Sequence, residues 1–166
     1  LRDEFRKRFE VKFKARLGLG KDDDKAVRIL NRVVSWTESG IEYEADQRHS
    51  EIIIDALGLR GQKGSVSPGI KTSNDKDDPE DESKLNNPES SVFRSLVARA
   101  NYLSQGGLDI KFPVKELSRW QSQPRQKDAK RLIRLAKYLI GRERYIVNFA
   151  YQSRTRQLEV WTDTDY

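Results

Sequence analysis

The stretch YEADQRHSEIIIDALGL, residues 43–59, passes from the spacing of a strand to the spacing of a helix. Its first four residues continue an alternating pattern that is typical of a strand. The apolar residues of its second half recur at intervals of three and four: Ile52, Ile53, Ala56, Leu57. Gly58 follows where a helix C-terminal residue is expected. The stretch therefore predicts a strand that leads directly into a helix beginning near Gln47.

The sequence upstream of this stretch predicts the partner of that strand. Residues 26–36 and 40–46 each have the composition of a strand, and the turn sequence TESG between them ends in glycine. Two such runs with a short glycine-containing connection indicate a β-hairpin.

The sequence downstream predicts a small helical bundle and a second hairpin. Three segments, 91–105, 108–121 and 126–141, place apolar residues at helical spacing, and Gly141 ends the third. The predicted buried faces are Phe93, Leu96, Val97, Ala100, Leu103 in the first, Ile110, Val114, Leu117, Trp120 in the second and Ala129, Leu132, Ile133, Ala136, Leu139, Ile140 in the third. Two further segments have the alternation of strands: 144–151, 157–163. The expected fold class is α+β, with a β-hairpin, a helical bundle and a C-terminal β-hairpin in that order.

Four regions follow from these patterns. The first strand–helix unit spans 1–59 and the bundle spans 92–141. Residues 60–91 lie between them, show no sustained periodicity and contain three of the five prolines. This composition predicts a flexible acidic linker. Residues 142–166 hold the C-terminal strands.

Composition narrows the classes of function. The 166 residues include no Cys and one His, which excludes disulfides and thiolate catalysis and leaves little for a histidine metal site. No run approaches the ~18 apolar residues of a membrane span, so we expect no membrane partner. The absence of Met, also at position 1, indicates a fragment of a longer reading frame.

Charge is unevenly distributed. Residues 71–90 carry three lysines against seven acidic residues, a net charge of −4, so the rest of the chain carries +10. Residues 91–151 alone carry +9, with 13 basic and four acidic residues. A basic lobe of this size indicates a polyanionic partner, of which nucleic acid is the most common. A solvated basic surface is the alternative interpretation.

The third predicted helix gives that lobe a candidate binding face. Five basic residues lie on the side of the helix opposite its apolar residues: Lys127, Lys130, Arg131, Arg134, Lys137. Side chains of this length, aligned on one face, can meet successive phosphates.

Other candidate residues carry weaker signals. His49 is interpreted as a partly exposed histidine without a catalytic role. Asp163 and Asp165 alternate along a strand and so point to one side, where paired carboxylates can hold a divalent cation. Surface solubility is the alternative for these two aspartates.

Five segments together resemble the Pol polyprotein of copia-type LTR retrotransposons, in that family's order and spacing. They are ILNRVVSWTESGIEYEADQRHSEIIIDALGL at 29–59, SPGIK at 67–71, FRSLVARANYLSQGGLDIKFPVKELSRW at 93–120, DAKRLIRLAKYLIG at 128–141 and VWTDTDY at 160–166. The resemblance covers almost the whole chain outside the loops at 18–26 and 70–90. In that family, the corresponding part of the polyprotein follows the catalytic aspartates of the polymerase.

The resemblance assigns a role to each region. Residues 1–59 correspond to the end of the reverse transcriptase palm, with a primer-grip-like hairpin and the first thumb helix. Residues 92–141 correspond to a thumb-like bundle. Residues 142–166 correspond to the connection and the first strands of an RNase H-like domain. The sequence departs from the family at GLDI, residues 107–110, where Arg-Pro-Asp-Ile is usual, and at Pro113, where a small residue is usual.

The resemblance also implies a function and its limits. The parent would be an RNA-directed DNA polymerase with RNase H activity that uses Mg²⁺, and this part would hold an RNA–DNA hybrid or DNA duplex. Asp163 would be the first RNase H-like carboxylate and would bind metal only together with downstream carboxylates. The fragment alone would therefore be no enzyme and would need no cofactor.

The implied surroundings are the rest of the Pol polyprotein, in a cytoplasmic virus-like particle and the nucleus of the cell. A non-catalytic, retroelement-derived nucleic-acid-binding or scaffold remnant is the alternative function. A pseudogene product is a third possibility.

Overall fold

The computed structural model describes residues 2–69, 79–142, 144–154, 157 and 159–162. Its helices are α1 (Arg2–Arg6), α2 (Arg48–Ala56), α3 (Asn87–Leu103), α4 (Lys111–Arg119) and α5 (Gln126–Leu139). Its strands are β1 (Ala26–Ile29), β2 (Arg32–Trp36), β3 (Gly40–Glu44) and β4 (Ile146–Ala150). Short 3-10 turns span Pro79–Glu82 and Leu108–Ile110. The predicted mixture of helices and antiparallel strands is confirmed.

The strands form one antiparallel sheet in the order β1-β2-β3-β4. The prediction of a single strand over residues 26–36 was wrong, because Leu30 and Asn31 form a tight turn between β1 and β2. Their φ angles are 49° and 62°, which is the backbone of a two-residue hairpin turn. Asn favours this conformation, whereas Leu30 gave no turn signal in the sequence.

The C-terminal hairpin was also predicted wrongly. β4 pairs with β3, from Gly40 opposite Ala150 to Glu44 opposite Ile146. The described residues of the second predicted strand, 157 and 159–162, belong to no strand. The backbone donors and acceptors on the second edge of β3 pair with β4. Local sequence patterns do not reveal this pairing because the two strands lie far apart in the sequence. A Cβ at position 40 would lie 2.2 Å from the Phe149 carbonyl oxygen, so this pairing requires glycine there.

The predicted end of α2 is confirmed. Gly58 has a φ of +64° and follows the C-cap residue Leu57. The Gly58 amide donates to the Asp55 carbonyl at 3.0 Å, and the Leu59 amide donates to the Ile54 carbonyl at 3.0 Å. These two bonds define a Schellman motif, which satisfies the last carbonyls of the helix.

Helices α2 to α5 pack around one hydrophobic core. All five apolar residues predicted for the buried face of α3 are buried: Phe93, Leu96, Val97, Ala100, Leu103. The predicted faces of the other helices need correction. Trp120 is 37% exposed at the end of α4, and Ile52 is 39% exposed on α2, where Ile54 is buried instead.

Helix α3 begins within the segment predicted as a linker. The Asn86 side chain accepts from the Glu89 amide at 2.9 Å, and the Glu89 carboxylate accepts from the Asn86 amide at 3.1 Å. This capping box starts the helix at Asn87, five residues before the predicted boundary at 92. Pro113 lies in the first turn of α4, where its missing N–H leaves no intrahelical bond unmade.

Arg32 of β2 joins the sheet to the bundle. Its guanidinium lies 4.6 Å from the centre of the Tyr102 ring on α3 and 5.8 Å from that of Tyr43 on β3. It also donates to the Gln105 side chain at 2.7 Å. The charged group therefore bridges both parts through cation–π contacts and a hydrogen bond.

Candidate nucleic-acid interface

The start of α5 is held by a fully buried carboxylate. Asp128 is 0% exposed and accepts from the backbone amide of Arg125 at 3.0 Å and from its Nε at 3.2 Å. The Arg125 guanidinium also lies 3.7 Å from the centre of the Trp120 ring. Asp128 was not among the candidates from sequence, although an acidic residue in the first turn of a helix is a recognisable capping signal.

Of the five basic residues predicted as a phosphate-binding face, the structure exposes Lys130 and partly buries the other four. The Lys130 side chain is 64% exposed, that of Arg131 is 34% exposed and that of Lys127 is 18% exposed. Arg134 and Lys137 are half-buried. We call these five residues the basic face.

The acidic segment covers the N-terminal half of the basic face. We call Pro79–Glu82 the acidic turn. Its Glu82 carboxylate accepts from Arg125 at 2.8 Å and from Lys127, and its Asp81 accepts from Lys130. The sequence assigned no role to these acidic residues, yet in the structure they meet two of the five predicted phosphate ligands.

Two backbone hydrogen bonds hold the chain beside the acidic turn against the start of α5. The Gln126 amide donates to the Ser83 carbonyl at 2.9 Å, and the Leu85 amide donates to the Pro124 carbonyl at 2.9 Å. The hydrogen bond from Lys127, together with the positive charge of Arg125, lowers the pKa of Glu82 below its ordinary value. Glu82 therefore keeps its negative charge beside the basic face at neutral pH.

The C-terminal half of the basic face meets mostly neutral groups. Arg134 donates from Nε to the neutral Ser67 carbonyl at 3.1 Å. Arg131 approaches the buried Asp128 at 3.4 Å. Within the described part of the chain, no carboxylate pairs with the Lys137 ammonium, and the Lys137 backbone carbonyl accepts from the Ser65 amide at 2.9 Å. Among the described residues, Arg134 and Lys137 therefore meet no carboxylate.

His49 lies in a packing contact between α2 and α3. Its ring centre is 4.6 Å from that of Tyr102, and its Nε2 is 3.9 Å from the Asp46 carboxylate. Burial lowers the pKa of His49, the nearby Arg99, Arg48 and Arg32 add to that effect, and Asp46 opposes it. A packing role agrees with this geometry.

The lowered pKa of His49 makes stability depend on pH. Since the unfolded chain binds a proton near the ordinary pKa of 6.5 and the folded chain does so only at lower pH, acidification favours the unfolded state. Between about pH 8 and pH 5 we expect wild type to lose stability relative to His49→Gln, most steeply below the unfolded pKa. Urea unfolding of both proteins across this range measures the difference, and parallel curves would contradict the prediction.

The predicted carboxylates Asp163 and Asp165 lie outside the described residues. Among the residues that are described, no group of three or more His, Asp or Glu side chains is placed to hold a metal ion. No helix in that same part of the chain is long and apolar enough to cross a membrane. In comparisons with known proteins, no family model, no curated protein and no solved structure matches the chain.

Proposed function

We propose that this chain is the palm-end, thumb and connection part of a copia-type retrotransposon reverse transcriptase–RNase H polyprotein. Its role would be to hold primer–template duplex, an RNA–DNA hybrid or DNA, during RNA-directed DNA synthesis. The observation that carries this proposal is the basic face of α5, which belongs to a lobe of charge +9. The sheet that leads directly into α2 agrees with the order of palm hairpin and thumb helix.

The basic face suits contact with phosphates. Arg131, Arg134 and Lys137 follow one another at three-residue intervals, which is a rise of about 4.5 Å along a helix. One DNA strand carries a phosphate about every 3.4 Å of helix axis, and long Arg and Lys side chains accommodate the difference. Binding through phosphates and duplex shape tolerates every base sequence, as a polymerase requires.

The finer assignments belong to the same proposal. The C-terminal residues would begin an RNase H-like fold, with Asp163 as its first carboxylate. In the parent enzyme Mg²⁺ would activate water and neutralise the scissile phosphate, with further carboxylates supplied by other residues. The chain alone would bind duplex without cleaving or extending it.

One observation favours the second candidate, a non-catalytic remnant that acts as a scaffold. Lys127 and Lys130 already hold Glu82 and Asp81, which reduces the charge that is available to a duplex. A protein whose basic face serves only to hold its own acidic turn would not bind nucleic acid.

Charge reversal on α5 separates these two functions. We expect the triple variant Lys130→Glu, Arg134→Glu, Lys137→Glu to bind a labelled duplex more weakly than wild type. The dependence of log K on log salt should also flatten by roughly 0.7–0.9 for each lost phosphate contact. Fluorescence anisotropy at several salt concentrations measures both quantities.

The matched control reverses three exposed lysines far from α5 in sequence: Lys12, Lys14, Lys21. This control changes net charge equally, so it reports the effect of charge alone. If the α5 variant and the control lose the same affinity, or if neither changes, α5 is not the binding face.

A further inference from the structure

We propose that the acidic turn is an internal competitor for the basic face. In this view Asp81 and Glu82 occupy the groups that would otherwise receive phosphates, and a duplex must displace these carboxylates to engage the N-terminal half of α5. The inference rests on the proposed function, since it concerns the regulation of the same face. It divides that face into a half whose cations pair with Asp81 and Glu82 and a half in which Arg134 and Lys137 meet no carboxylate of the described residues.

The contacts of the acidic turn match those of a phosphate. Glu82 accepts from two cationic groups, Arg125 and Lys127, and Asp81 accepts from the next one, Lys130. Carboxylates and phosphates are recognised in the same way, through charge-assisted hydrogen bonds to Arg and Lys. Two carboxylates thus cover three cations within six residues of sequence, 125–130.

The ion pair between Asp81 and Lys130 is the one most open to water, since the Lys130 side chain is 64% exposed and that of Asp81 is 23% exposed. Glu82 is 42% exposed, whereas its partners Arg125 and Lys127 are 17% and 18% exposed. Exposed ion pairs contribute little net stability because solvent screens them, so we expect the Asp81 pair to exchange first. In contrast, Asp128 is 0% exposed and is held by Arg125 and Arg131, so it stays in place when the turn is displaced.

The backbone permits displacement without unfolding. Two backbone bonds hold this part of the chain beside the start of α5, from the Gln126 amide to Ser83 and from the Leu85 amide to Pro124, and both lie outside the acidic turn. The Asp81 and Glu82 side chains can therefore turn away from α5 while those backbone bonds remain.

The test removes the competing charges and retains side-chain shape. We expect the double variant Asp81→Asn, Glu82→Gln to bind a fluorescein-labelled DNA duplex or RNA–DNA hybrid of about 20 base pairs roughly three- to tenfold more tightly than wild type. The control Asp22→Asn, Glu38→Gln removes two exposed carboxylates far from α5 in sequence and so makes the same change in net charge. Its gain in affinity should be smaller.

A second pair of substitutions shows where the gain arises. Lys127→Gln with Lys130→Gln should weaken binding little in the wild-type background, where the acidic turn holds both lysines. In the Asp81→Asn, Glu82→Gln background the same pair should abolish the gain. If the double variant does not fold, the single variant Asp81→Asn replaces it, because it keeps the Glu82–Arg125 pair. Its gain in affinity should then disappear with Lys130→Gln alone.

Each outcome decides between the two proposals. A gain that exceeds the control and disappears with Lys127 and Lys130 supports internal competition. Wild-type binding with a gain equal to the control, or a gain that survives loss of both lysines, overturns competition and leaves the proposed function intact. No binding by wild type or any variant at low salt overturns both.

Discussion

Replacing Leu135 by alanine is expected to lower the free energy of unfolding by about 2–5 kcal/mol, the range for removal of a fully buried leucine side chain. Leu135 is 0% exposed in the middle of α5. Its removal would leave a cavity among the residues of the bundle core, which relaxes only in part. Equilibrium unfolding in urea, followed by far-UV circular dichroism, measures the loss.

Ile133→Ala is the matched control on the same helix. Ile133 has the same number of side-chain carbons as Leu135 but is 37% exposed, so its truncation should cost about 1 kcal/mol or less. The sequence placed Ile133 on the buried face and did not select Leu135. Equal losses at both positions, or a larger loss at 133, would show that α5 is rotated toward the face predicted from sequence.

The sequence pattern predicted where α5 lies and where it ends, but it did not predict correctly which side of the helix faces the core. Gly141 was predicted to end the helix and follows it with a φ of +78°. The apolar arc of α5 is wide, however, and periodicity does not say which part of a wide arc faces the core. Tyr138 illustrates this, since it is buried on the side of the basic residues and donates to Asp109 of the 3-10 turn at 2.5 Å.

Long-range pairing accounts for the other differences. All the buried apolar residues of α3 were predicted because a single helix contains the whole signal. The pairing of β4 with β3 depends on residues about a hundred positions apart. The basic face was likewise visible in a single helix, whereas Glu82 and Asp81 reach it from 45 and 49 residues earlier in the chain. Local patterns therefore located the basic face but not the residues that cover it.

Asp128→Ala is expected to have the second large effect, a loss of about 2–3 kcal/mol in the free energy of unfolding. The substitution removes the acceptor of the Arg125 amide and one partner of its guanidinium, and it leaves both groups at a mostly buried helix start. Glu82 still pairs with Arg125, which keeps the loss below that of a fully isolated buried charge. Asp128→Asn retains one acceptor oxygen and should lose less.

The control for this prediction is Asp55→Ala, which removes a carboxylate that pairs with an arginine in the open. Asp55 lies 2.6 Å from Arg60, and both side chains are exposed. Water replaces such a pair readily, so we expect no measurable loss in urea unfolding. Similar losses for the two alanine variants would mean that Asp128 does not hold the start of α5.

The same variant tests whether the start of α5 matters for binding. Asp128→Ala removes a negative charge from the basic lobe, so net charge alone predicts tighter duplex binding. If Asp128 instead positions Arg125 and the first turn of the basic face, the folded variant should bind a duplex more weakly than wild type. Fluorescence anisotropy, measured at a temperature well below the unfolding transition, distinguishes the two results. Helix orientation predicts a loss of duplex affinity, whereas total charge predicts a gain. Tighter binding would show that the basic face acts as diffuse charge, without dependence on how α5 begins.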